Sequence, residues 1–166
     1  MIKLIVLDVD GCLTDGKLIY SEDSIESKSF NVKDGLGISS WIKMGNYVAI
    51  ITGRNSKIDE RRAKELGIKH IYQGIKDKKK VLTQLVETLN LDYTQVAGIG
   101  DDLNDYNMLN LVGKSFTPKN GVKDIKEIVD VVLNYDGGDG AVREMVEFLV
   151  NLNNQKTDFL AVWNID

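Results

Sequence analysis

The chain predicts an α/β fold, a Rossmann-like parallel sheet with helices on both faces. Apolar runs recur at residues 3–8, 47–51, 70–72, 96–100, 114–117 and 129–133, with helix-period segments between most of them, which is the alternation of a βαβ sheet. Two of these runs end in acids. Leu4-Ile5-Val6-Leu7 opens into Asp8-Val9-Asp10-Gly11, and the run Val96 to Ile99 opens into Gly100-Asp101-Asp102-Leu103-Asn104-Asp105. Ligands of open α/β sheets bind beyond such strand ends.

Each element has its own signal. Residues 17–30 break the alternation: Lys17 to Tyr20, Ser21-Glu22-Asp23-Ser24 and Ile25 to Phe30 read as strand, turn and strand, a projecting β-hairpin. A lone hairpin is marginal in water and leaves strand edges open, so pairing with neighbouring subunits is expected. Helices are expected near 35–45, 55–66, 77–90, 103–111, 122–127 and 139–152. The clearest is 77–90, where Val81, Leu82, Leu85, Val86 and Leu89 form one stripe between the N-cap candidate Asp77 and the stop candidate Asn90. Gly45, Gly67 and Gly113 punctuate the ends of three others. In the tail, 153–166, a polar break at Asn153-Asn154-Gln155-Lys156 precedes Phe159-Leu160-Ala161-Val162-Trp163, whose apolar half calls for burial.

Composition bounds the function. With 166 residues, 43% hydrophobic and 28% charged, the chain suits one globular domain spanning 1–166. A net charge of -4 gives no field for nucleic acid, and the basic stretch Lys76 to Lys80 opens an amphipathic helix rather than a tail. Cys12 is the only cysteine and His70 the only histidine, which excludes a disulfide framework, a thiolate cluster and zinc sites built on histidine pairs. The apolar N-terminus is too short for a secretory segment and no run approaches the ~20 residues of a membrane span, so a cytoplasmic protein with no membrane partner is expected.

The acidic clusters need an explanation in charge. Two carboxylates about 4 Å apart repel by roughly 4 kcal/mol at an effective dielectric near 20, so several together call for a cation. A hard ion that takes oxygen ligands, Mg²⁺, is the economical answer. Two further strand or helix ends add Thr52-Gly53-Arg54 and Lys78. Together these supply a carboxylate nucleophile, a hydroxyl donor, a cation for phosphate oxygens and acids for a metal, the parts of phosphoryl transfer. Each part alone has a plainer explanation. Asp-x-Asp-Gly occurs in turns and calcium loops, Thr52 could cap a helix starting near Asn55, and Lys78 sits among Lys76, Lys79 and Lys80. Trp41, Met44, Tyr106, Met108 and Cys12 read as packing residues.

DVDGCLTDG, ITGR, Lys78 and GDDLND, in that order, resemble the haloacid dehalogenase superfamily of aspartate-dependent phosphatases. The resemblance implies that Asp8 attacks phosphorus to form an aspartyl-phosphate, and that Asp10 protonates the leaving oxygen and then activates water. Thr52 and Lys78 would bind the phosphoryl group. Asp101 would join the Asp8 carboxylate and the Asp10 main-chain carbonyl around Mg²⁺, with Asp102 or Asp105 supporting the site from behind. Little room remains for a cap domain, and the hairpin end Lys28-Ser29-Phe30, the loop Asn31 to Gly37 and the segment Gly137 to Glu144 resemble the capless sugar-acid phosphatases of lipopolysaccharide precursor synthesis. That likeness implies a phosphorylated 2-keto-3-deoxy sugar acid of eight carbons as substrate, with a nine-carbon relative as the alternative. It also implies a homotetramer centred on the hairpins, and contacts to the sugar acid from Asp10, Asn31, Val32, Lys33, Asp34, Gly35, Arg54, Arg62 and Lys78. A phospho-accepting receiver domain uses similar residues in another order, with its phosphorylated aspartate on a middle strand.

Overall fold

The computed structural model describes residues 1–23 and 25–165. Ser24 of the expected hairpin turn and Asp166 of the expected tail lie outside them. The strands are β1 (Leu4–Leu7), β2 (Ile19–Tyr20), β3 (Glu26–Ser27), β4 (Tyr47–Ile51), β5 (His70–Tyr72), β6 (Val96–Ile99), β7 (Lys114–Thr117) and β8 (Val131–Val132). The helices are α1 (Val32–Lys43), α2 (Lys57–Leu66), α3 (Lys78–Thr88), α4 (Tyr106–Leu109), α5 (Lys123–Lys126), α6 (Ala141–Leu152) and α7 (Lys156–Ala161).

Six strands form one parallel sheet in the order β5-β4-β1-β6-β7-β8. Leaving the hairpin aside, this is the doubly wound order 3-2-1-4-5-6, whose direction reverses between β1 and β6. The crevice at that reversal lies between the two acidic loops. A receiver-type sheet has the order 2-1-3-4-5, so this topology removes that rival.

Burial explains why β1 is central. All four of its side chains are buried and they alternate between two cores. Ile5 and Leu7 join Ile38 and Trp41 of α1 and Val142, Met145 and Val146 of α6, while Leu4 and Val6 join Leu82, Leu85 and Val86 of α3 with Met108 of α4. Each core removes several large aliphatic side chains from water, at roughly 1.5–3 kcal/mol apiece.

Several boundaries differ from the sequence expectation. Helix α1 starts at Val32 rather than near 35, because Asn31 caps it by accepting from the Lys33 N–H at 2.8 Å. The expected helix at 103–111 is a 3₁₀ turn, Leu103–Asp105, followed by the single turn α4, because Asp102 and Asp105 form a reciprocal capping box. Among the described residues of the hairpin, strand pairing is confined to β2 and β3, and Leu18, Ile19, Tyr20 and Ile25 are exposed. The tail forms α7, which the sequence reading did not place. Phe159 is buried, and the Trp163 indole donates to Ser40 Oγ of α1 at 2.8 Å, so the apolar half of the tail docks on its own chain. Among the described residues, no helix is long and apolar enough to cross a membrane.

Candidate active site

Parallel pairing of β1 with β6 aligns Leu7 with Ile99, so the loops that follow begin side by side. The Asp8 N–H donates to the Ile99 carbonyl at 3.2 Å. Gly11 turns the first loop back at φ 96°, and a Cβ there would overlap the Asp101 carboxylate. Only glycine allows both loops to close to this distance. A second clamp comes from the loop before α6. The Gly138 N–H donates to the Cys12 carbonyl at 2.9 Å, and a Cβ on Gly137 would overlap the Gly11 carbonyl.

Lys78, at the start of α3, is 2% exposed and links the two acidic loops. Its Nζ donates to Asp8 Oδ1 at 2.7 Å and to Asp105 Oδ1 at 2.5 Å. The other Asp105 oxygen accepts the Asp101 N–H at 3.1 Å and the Asp102 N–H at 3.4 Å, so Asp105 holds the second loop by its backbone. Asp102 is exposed and caps only its own turn through the Leu103 N–H. Of these two aspartates, Asp105 is the one hydrogen-bonded to Lys78 and to the backbone of the second loop, while Asp102 lies at the edge of the same pocket. Thr52, 1% exposed, follows β4, and Ser56 is the N-cap of α2, so the plainer account of Thr52 as a helix cap does not hold. Asp8, Asp10, Thr52, Arg54, Asp101 and Asn104 line a pocket of about 250 Å³.

The electrostatics favour a cation. Burial, then the charge of Asp105, push the Asp8 carboxyl up to about 8 against the pull of Lys78. Burial and then Asp105 and Asp102 push Asp101 up to about 7. Burial works against the Lys78 ammonium, but Asp8 and Asp105 outweigh it and hold its pKa well above the ordinary value. Asp8, Asp101 and Cys12 each offer one atom within 4.8 Å of the others. Burial pushes the Cys12 thiol up, which keeps it protonated and leaves the two carboxylates as the hard donors suited to Mg²⁺. The residues present fit a divalent metal.

The Asp10 carboxylate, at the wall of the same pocket, sits between two cations. Lys28 Nζ lies 2.9 Å from Asp10 Oδ1, and Arg54 Nε lies 3.6 Å from Oδ2. Arg54 is in turn tied to the hairpin through Tyr20 Oη at 3.0 Å and Glu26 Oε1 at 2.9 Å. Sequence reasoning missed Lys28 and its second partner Asp59. A lysine in a polar hairpin end carries no local sign of burial, and its partners come from 18 residues upstream and 31 downstream.

Not every expected contact reaches the pocket. Asp34, expected at the sugar acid, is 1% exposed and accepts the Arg143 N–H at 2.7 Å between α1 and α6, so within one chain its carboxylate does not line the Asp8 pocket. Asn31 and Lys33 border a separate cavity of about 490 Å³ with Tyr135, Asp139, Arg143 and Glu147. Val32, Gly35 and Arg62 lie on another face, beside Leu36 and Trp163. Within one chain, none of these five lines the Asp8 pocket.

A carboxylate held against a buried lysine, facing a second acidic loop at the reversal of a doubly wound sheet, defines a haloacid dehalogenase-like hydrolase, and the profile of that family matches residues 68–145. The 3-deoxy-D-manno-octulosonate 8-phosphate phosphatase of Salmonella typhi is 40% identical over 149 residues, covering 90% of this chain and 79% of the relative. The crystal structure of the Moraxella catarrhalis phosphatase of the same name, with magnesium, phosphate and KDO, superposes with TM-score 0.94 at 41% identity, covering 98% of this chain and 94% of that one. The cobalt-bound Haemophilus influenzae phosphatase gives TM-score 0.88 at 38% identity, covering 92% and 90%. The chain belongs to the 3-deoxy-D-manno-octulosonate 8-phosphate phosphatase family of these hydrolases.

Proposed function

We propose that this protein is a Mg²⁺-dependent phosphomonoester hydrolase that converts 3-deoxy-D-manno-octulosonate 8-phosphate to the free sugar acid and phosphate, a step of lipopolysaccharide precursor synthesis. The observation that carries the reading is the Lys78 bridge, which fixes Asp8 beside Asp101 at the mouth of the crevice. Asp8 and Asp101, with the Asp10 main-chain carbonyl, would hold the metal, whose positive charge would act on the phosphoryl oxygens and favour the ionised, nucleophilic form of Asp8. An Asp8 oxygen forms a bond to phosphorus as the bond to the sugar oxygen breaks, and Asp10 gives its proton to that oxygen. Thr52 and Lys78 hold the phosphoryl oxygens through the transfer. Asp10, now a carboxylate, takes a proton from water as water attacks the aspartyl-phosphate, which frees phosphate and regenerates Asp8.

The chain works as a single domain, 1–166, in a homotetramer. The exposed apolar side chains Leu18, Ile19, Tyr20 and Ile25 of the hairpin, together with Val32 and Leu36, support assembly. Contacts to the sugar acid from Asn31, Val32, Lys33, Gly35 and Arg62 belong to this reading as contributions to a neighbouring subunit's pocket, while Arg54 serves its own. Guanidinium groups suit the planar carboxylate of the substrate through paired hydrogen bonds. The single cysteine, free and buried, is compatible with cytoplasmic residence.

Phosphate release across a panel of sugar phosphates, including eight- and nine-carbon 2-keto-3-deoxy acids, tests the proposal with and without EDTA. Metal-dependent turnover that favours the eight-carbon ester is expected. Preference for the nine-carbon ester overturns the substrate, and turnover indifferent to EDTA overturns the mechanism.

A further inference from the structure

The reaction described above has no use for Lys28, yet its side chain is 1% exposed and ends among charges. It lies one residue beyond β3, and its Nζ is 2.9 Å from Asp10 Oδ1 and 2.9 Å from each oxygen of Asp59 on the first turn of α2. Asp59 is 1% exposed, and Lys28 is the partner of both its oxygens. Burying a lysine between two carboxylates is a poor way to fasten a hairpin, because desolvation takes back much of the Coulomb gain. What the arrangement does give is direction. One side of the Asp10 carboxyl is ion-paired with Lys28, and the other faces Arg54, which lines the pocket.

We infer that Lys28, anchored by Asp59, is a positioning residue for Asp10: it fixes the rotation of the carboxyl so that Oδ2 delivers its proton to the departing sugar oxygen. The inference rests on the reading of Asp10 as the acid of the first step. In that step the Asp8 oxygen bonds to phosphorus, the bond from phosphorus to the sugar oxygen breaks with its electron pair going to that oxygen, and the proton moves from Asp10 Oδ2 to it. Orientation of a general acid matters only when the leaving group needs a proton. A sugar alkoxide needs one, and p-nitrophenolate does not.

The test is the single-turnover rate of leaving-group release from the sugar-acid 8-phosphate and from p-nitrophenyl phosphate. The double variant Lys28→Met/Asp59→Leu removes the lysine and its anchor together, so no unpaired charge remains between them. We expect it to lose about 10-fold or more on the sugar ester and less than about threefold on the aryl ester, within the range general acid catalysis supplies. Lys28→Arg, which keeps the charge, should recover part of the sugar-ester rate. If the double variant does not fold, Asp59→Asn keeps the shape and loosens the anchor, and a smaller loss confined to the sugar ester is expected. Equal losses on both esters, or none on either, in whichever variant folds, overturn the inference. Asp10→Asn marks failure of the underlying assignment separately: wild-type speed on the sugar ester in that variant removes Asp10 as the acid and Lys28 as its positioner.

Discussion

The Asp34 carboxylate on α1 accepts the backbone N–H of Arg143 at 2.7 Å, so the first turn of α6 is capped from a residue 109 positions away. The α6 N-cap position is Gly140, which has no side chain to do this. Burial, only partly offset by the Arg143 and Gly140 N–H groups, raises the Asp34 carboxyl to about 6, with Asp139 adding to the rise and the Arg143 charge opposing it. Because the folded value lies above the unfolded one, the associated stability is full below the ordinary value of 3.8 and is lost as pH rises through about 6. Asp34→Asn should therefore gain on the wild type as pH is raised from about 4 to about 7, measured by urea unfolding at each pH. Asp34→Ala, which removes the cap, should cost about 1 kcal/mol near pH 5 by the same measurement.

Lys78→Met leaves Asp8 and Asp105 buried without their shared cation. Removing one partner from a buried ion pair costs about 3–5 kcal/mol, and that loss is expected in urea unfolding at neutral pH. Phosphate release should fall by about 100-fold or more, because a cation aimed at the phosphoryl oxygens is lost as well.

Gly137→Ala inserts a methyl group where the Gly11 carbonyl stands. The catalytic loop has to move, and a displacement near 1 Å at reacting groups costs about 100-fold in rate. Turnover should drop by that order with KM changing little, and a crystal structure of the variant should show Asp8 and Asp101 further apart.

The tail gives a stability prediction. Phe159 is 4% exposed, and Phe159→Ala should cost about 3 kcal/mol. Trp163→Ala, which loses the Ser40 hydrogen bond and the Lys43 ammonium 4.1 Å over the ring, should cost about 1 kcal/mol. Truncation after Leu152 removes both, and thermal unfolding should show a drop larger than either substitution alone.

The legible parts of this molecule are those whose cause is local. Each strand of the main sheet announces itself as an apolar run, and Asp8, Asp101 and Thr52 stand at strand ends where topology alone brings them together. Lys78 stands among Lys76, Lys79 and Lys80, and in the sequence only the family resemblance singles it out; the structure buries it at the start of α3, directly after the N-cap Asp77. Lys28 and Asp34 were not readable in their observed roles, since each is defined by partners from distant parts of the chain. The break at Leu103–Asp105 was visible in principle, because Asp102 and Asp105 have capping-box spacing, although a single helix near 103–111 is what the sequence suggests.

Everything turns on Asp8 carrying the phosphoryl group in transit. Acid quenching of the enzyme during turnover of the sugar-acid 8-phosphate with Mg²⁺, followed by peptide mass mapping, tests this directly. One phosphoryl group on the peptide containing Asp8, absent from Asp8→Asn and from enzyme treated with EDTA, is the predicted result. Hydrolysis at normal speed by Asp8→Asn, or a phosphoryl group recovered on a different residue, would contradict the account.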